Sequence, residues 1–159
     1  MKLLRRRLPT ALVLALAACS SAPDSPEDTV RATLAAIESA ADERDAGAVG
    51  EHISEAYADA RGHDKREVVQ VAALHLLRNQ AVYTLTRVQS IEVSEPGRAE
   101  VRALAALAGR PIPDLDALAV VNADLYRFDV TLREEEPGTW RVVSAAWQPA
   151  TLGDFREGP

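Results

Sequence analysis

The chain has 159 residues, of which 47% are hydrophobic, 4% aromatic and 26% charged, and its formal net charge is −6 at pH 7. Those proportions fit one ordinary globular domain and exclude a disordered chain. Lys2, Arg5, Arg6 and Arg7 precede the first acid, Asp24, so the body is more acidic than the total; such a body repels phosphate backbones, which excludes nucleic-acid binding.

Met1 to Arg7 is a basic segment, and Leu8 to Ala18 is a short apolar one. The apolar run is far below the ~20 residues that span a bilayer, and its length and flanks match an export signal. The chain has a single cysteine, Cys19, so no intramolecular disulfide forms. Leu16-Ala17-Ala18-Cys19 resembles the lipobox of bacterial lipoproteins. That resemblance implies a signal peptide over residues 1–18, an acylated Cys19 as the mature N-terminus, and attachment to the membrane of a bacterial envelope. Ser20 resembles the outer-membrane address of Gram-negative lipoproteins, which implies the periplasmic side of that membrane. Residues 19–25 then form a tether reaching about 20 Å.

Ser25-Pro26-Glu27-Asp28 reads as a helix start, with a capping serine, a proline in the first turn and acids at the positive helix end. Val30, Leu34, Ile37 and Ala41 continue at helical spacing. Ala48 to Ser54 reads as a short second helix. Asp64 and Glu67 form a capping box ahead of a third helix over Lys65 to Arg78. On that helix Val68, Val69, Ala72 and Leu76 define the core face, and His75 flanks it beside Val71. Leu74 and Leu77 fall on the wet side, where another element or a partner would have to cover them.

From Gln80 the pattern becomes strand-like. Val82 to Val93, Ala99 to Ala108, Asp124 to Glu134 and Trp140 to Trp147 read as four strands, with turns at Pro96-Gly97 and Pro137-Gly138 and a short helix within Leu115 to Val121. Tyr126, Phe128, Val130 and Leu132 share one face; Arg127, Asp129, Thr131 and Arg133 share the other. Trp140 and Trp147 have opposite parity, which places one toward the helices and one away. Ala150 to Pro159 reads as a loose tail. The expected fold is therefore α+β, with three N-terminal helices packed on a curved antiparallel sheet of about four strands over residues 26–149, and a tail over 150–159.

The three helices, the strand–turn–strand unit and the closing hairpin with Trp140-Arg141-Val142-Val143 and Trp147 resemble the nuclear-transport-factor-2-like, or SnoaL-like, cone fold over Pro26 to Pro149. Arg61-Gly62-His63-Asp64-Lys65 is similar to the corresponding break in bacterial lipoproteins of that superfamily. The superfamily holds isomerases, dehydratases and non-catalytic modules, so the resemblance implies a fold rather than a reaction. Its enzymes use a polar pair inside the cone, and here the candidate catalytic residues are His75 and Tyr83, with Tyr126 and Asp129 less well placed. Val68, Val71, Ala72, His75, Tyr83, Tyr126 and Phe128 are the candidate lining of a cone suited to an apolar ligand.

His52 and His63 stand far apart in loop or short-helix context, and no metal-ligand spacing, phosphate loop or hydrolase elbow is present. No metal and no cofactor is expected. The Arg127/Asp129/Thr131/Arg133 face is self-complementary in an antiparallel pairing and would suit a homodimer. The leading expectation is a non-catalytic, membrane-anchored envelope lipoprotein that binds a small apolar ligand or a protein partner through its cone. An isomerase- or dehydratase-type enzyme and a structural accessory subunit are the alternatives.

Overall fold

The computed structural model describes residues 25–78, 81–95 and 97–157. The expected signal peptide, Cys19 and most of the tether lie outside the described residues. Helix α1 (Pro26–Asp42) starts as its sequence dictates: Ser25 Oγ accepts the Asp28 backbone N–H at 3.2 Å, and Pro26 occupies the first turn. Helix α2 (Ala46–Glu51) is short. Helix α3 (Lys65–Leu77) opens on the expected capping box between Asp64 and Glu67. Strands β1 (Tyr83–Glu95), β2 (Arg98–Ala108), β3 (Ala123–Glu136) and β4 (Thr139–Pro149) form one antiparallel sheet in the order β1-β2-β3-β4. Gly97 and Gly138 take φ of 77° and 76° at the β1–β2 and β3–β4 turns, a region that costs glycine little.

The inner face of the sheet packs on the helices. Val30, Ile53, Tyr57, Ala99, Val101, Leu132, Trp140 and Val142 are buried together, with Leu34, Ile37, Val68, Val69 and Val130 against them. Both sheet edges are occupied. On β1 the Thr84 and Thr86 N–H groups donate to the Asp42 and Glu38 carboxylates of α1, at 2.6 and 3.0 Å. On β4 the Ser54 N–H donates to Val142 O and the Val142 N–H to His52 O, both at 2.9 Å. Neither edge therefore offers an open ladder along these stretches.

Three findings differ from the sequence expectation. First, β4 carries a bulge at Val143: Thr131 pairs with Ser144 while Leu132 pairs with Val142. The extra residue reverses the side-chain alternation. Trp147 pairs with Phe128, so both tryptophans face the helices, and opposite parity does not separate them. Second, residues 150–159 are not a loose tail as far as they are described. Leu152–Arg156 forms helix α4, capped by Thr151 and Asp154, and Phe155 is 1% exposed. Third, α4 and a 3-10 turn at Asp116–Ala119 cover part of the outer sheet face. There Phe155 and Leu118 bury Leu104 and Ala106, with Leu85, Ala123, Leu125 and Leu152 around them. This second core explains why β2 is buried on both faces from Ala103 to Ala106.

Candidate functional site

The segment between α2 and α3 runs along β4 and brings Tyr57, Asp59, Arg61 and His63 to its inner side. Asp59 organises this loop. Its Oδ1 accepts the backbone N–H groups of Arg61 and His63, at 2.9 and 3.0 Å. Its Oδ2 accepts the Tyr57 hydroxyl at 3.2 Å and His63 Nδ1 at 2.8 Å. The Asp59 side chain is 1% exposed. Burial raises its pKa, but the hydrogen bonds from the His63 side chain and backbone, from the Arg61 backbone and from Tyr57 outweigh burial and lower it from 3.8 to about 2. Burial, reinforced by the Asp59 charge and hydrogen bond, pushes the Tyr57 hydroxyl well above the ordinary tyrosine value. Tyr57 is thus a permanent donor. Because an ionised carboxylate can only accept, His63 Nδ1 carries a proton and donates it to Asp59.

His63 opens a row of rings on the inner face. Its ring stacks on Trp147 with centroids 6.3 Å apart and planes 17° apart. Arg61 Cζ lies 4.2 Å from the Trp147 ring centroid, and Arg61 Nη2 donates to Trp147 O at 3.1 Å. Trp147 is the cross-strand partner of Phe128. Phe128 lies 6.2 Å from Tyr126, and Tyr126 meets His75 edge-on at 5.8 Å. The row therefore runs His63, Trp147, Phe128, Tyr126, His75. Burial, with Asp124 nearby, raises the Tyr126 pKa.

The structure brings His75, Tyr126 and Phe128 together as one end of this row. Val68 packs into the core, and Ala72 is half-buried beside it on α3. Tyr83 is placed elsewhere. It shares parity with Leu85, which belongs to the outer-face core, so it lies on the opposite side of the sheet from His75 and is 39% exposed. His75 and Tyr83 do not form a pair. Val71 is exposed at the margin of the interior. Asp129 is on the outer face, 3.3 Å from Arg102 Nε. Sequence reasoning missed the Tyr57–Asp59–His63 cluster. Its signal was Asp59-Ala60-Arg61-Gly62, an aspartate two residues before a backbone N–H it can cap.

A depressed carboxylate contributes stability fully above its unfolded value and loses it as pH falls toward its folded value. Asp59→Asn should cost about 1.5–3 kcal/mol at neutral pH, since it replaces charge-assisted hydrogen bonds. The gap between wild type and variant, measured by denaturant titration, should close as pH falls from 3.8 toward about 2. A gap independent of pH would show that Asp59 acts by shape alone.

No protein-family model matches the chain, and none of the curated proteins matches it. Solved structures do. A candidate scytalone dehydratase from Novosphingobium aromaticivorans aligns with a TM-score of 0.62 at 8% identity, covering 79% of this chain and 84% of that one. A candidate dehydratase of the NTF2-like family from Streptomyces avermitilis aligns at 0.62 and 17%, covering 81% and 99%. A ketosteroid isomerase-like protein from Erwinia carotovora aligns at 0.56 and 17%, covering 77% and 95%. At these identities the likeness is one of fold, and the chain has the NTF2-like cone fold.

Proposed function

We propose that the chain is a non-catalytic, membrane-anchored envelope protein whose inner aromatic row receives an apolar ligand, or an apolar segment of a partner. The observation that carries this reading is the row itself: three aromatic rings on the inner face, bounded by a histidine at each end. All four Asp59 contacts are used to build the turn, so the buried carboxylate has no capacity left to act as a base. The position of Ser25 is compatible with an anchor that precedes it. The C-terminal turn of α1 sits by Thr84 and Thr86, whereas Val30 packs with Ala99 and Trp140, so α1 begins at the hairpin-turn end of the sheet. A tether ending at Ser25 leaves from that end. The exposed apolar side chains Leu74 and Leu77 lie on α3 beside His75, at the other end of the row. They would face away from the anchoring membrane, toward a ligand or partner.

Two tests apply. Cys19→Ser should release the protein from the membrane fraction, and the intact mass of the wild type should show an acylated N-terminal cysteine; an unmodified Cys19 would refute the anchor. The apolar dye anilinonaphthalene sulfonate should bind the folded chain and quench Trp147, and Trp147→Ala or Tyr126→Ala should weaken binding. Dye binding unaffected by both variants would contradict the reading.

The dehydratase- or isomerase-type alternative has one observation in its favour. His63 is oriented through Nδ1 by an ionised aspartate, the arrangement a histidine base uses. Turnover of a bound hydroxy or keto compound, lost in His63→Ala with binding retained, would establish it.

A further inference from the structure

The outer face of the sheet carries a different arrangement. Two neighbouring cross-strand rows meet there: Ser90, Arg102 and Asp129 in one, and Arg87, Leu104, Arg127 and Gln148 in the next. Gln89 is the extra residue of a bulge in β1, where Val88 pairs with Ala103 and Ser90 with Arg102. Gln89, Ser90, Arg102, Arg127, Asp129 and Gln148 line an open depression of about 550 Å³. Helix α4 ends at its border, with Asp154 bound to Arg127 and the Phe155 carbonyl bound to Arg87.

Two of these lining residues carry a polar atom that is buried without a hydrogen-bond partner among the described residues: Gln89 Oε1, an acceptor, and Arg127 Nε, a donor. Folded proteins leave few such groups, and finding one of each kind among the residues lining a single depression points to a ligand that both donates and accepts. Asp154 engages Arg127 through Nη2, which leaves Nε without an acceptor among the described residues. The Arg102 side chain is 60% exposed, and its one ion-pair partner among the described residues is Asp129. Three arginines stand here against Asp129 and Asp154, a locally cationic patch on a chain whose net charge is −6. The planar guanidinium fork matches a carboxylate, and the amide oxygen of Gln89 requires a hydroxyl or N–H donor. Ser90 and Gln148 make the remaining wall polar, which disfavours an apolar occupant.

We propose that this depression binds a small hydroxycarboxylate: Arg127 Nε and Arg102 receive the carboxylate, and the ligand hydroxyl donates to Gln89 Oε1. The site lies across the sheet from the aromatic row and stands independently of that row's function.

Isothermal titration calorimetry of the full chain in detergent tests the proposal, with L-malate, succinate and inorganic phosphate as probes. Malate should bind at least about tenfold more tightly than succinate, which lacks the hydroxyl. Gln89→Leu should abolish that difference, and Arg102→Ala should weaken both by about tenfold. Both side chains border solvent, and thermal melts of each variant confirm that it is folded. Absence of malate binding up to about 10 mM would overturn the proposal. So would equal affinity for malate and succinate, phosphate binding as tight as malate, or binding unchanged in both variants. A sedimentation dimer dispersed by Arg102→Ala and indifferent to malate would assign this face to a second copy of the chain instead.

Discussion

Trp140→Ala is expected to destabilise the domain by about 3–5 kcal/mol, the range for deleting a fully buried large aromatic side chain. Trp140 is 3% exposed and lies among Val30, Ile53, Leu132 and Val142, where α1, the α2–α3 loop, β3 and β4 meet. Contacts from so many elements leave little room for the cavity to collapse, which favours the upper part of that range. Trp147→Ala should cost less, about 1–2 kcal/mol, because Trp147 is half-buried and loses mainly its stack with His63 and the Arg61 guanidinium. Urea unfolding at unchanged m-value separates the two variants. Equal losses would mean that the rim of the aromatic row is as rigid as the core.

Phe155→Ala should be comparably costly, about 3–5 kcal/mol. Helix α4 has only five residues, Leu152–Arg156, far too few to be helical alone. It is held by Phe155 against Leu104, Ala106 and Leu118, by the Thr151–Asp154 cap, and by the Asp154–Arg127 ion pair. Removing the ring should detach the helix, expose Leu104 and free Arg87 and Arg127 from their C-terminal partners. Denaturant titration gives the magnitude, and faster hydrogen exchange at the Glu157 amide, which donates to Gly153 O, marks the detachment. A cost below about 1 kcal/mol would mean that the C-terminal segment merely lies on the sheet.

The layout was legible where period and punctuation agreed. The Ser25 and Asp64 caps, the Gly97 and Gly138 turns and the Tyr126-to-Leu132 alternation placed the helices and strands. Leu74 and Leu77 fell on the wet side of the α3 wheel and are exposed. What failed had local causes. Parity arguments assume an unbroken strand, and the Val143 bulge, which no residue type announces, turned Trp147 inward. The apolar run Leu104-Ala105-Ala106 reads as weak alternation because both faces of β2 are covered there, and only the Thr-x-x-Asp pattern at Thr151 hinted at the helix that covers the outer one. At the site, His75, Tyr126 and Phe128 were visible as residues of one interior, whereas the partners of His63 were not. Asp59 reaches it across a loop turn, and Trp147 reaches it across the bulge.

We propose that the inner aromatic row binds an apolar ligand or segment without transforming it. Native mass spectrometry of the intact protein, extracted from its own envelope, tests this most directly. The expected result is a complex carrying a constant added mass that disappears in Trp147→Ala and persists unchanged on prolonged incubation. A bare protein mass, or an added mass converted over time to a dehydrated or isomerised product only while His63 is present, would contradict it.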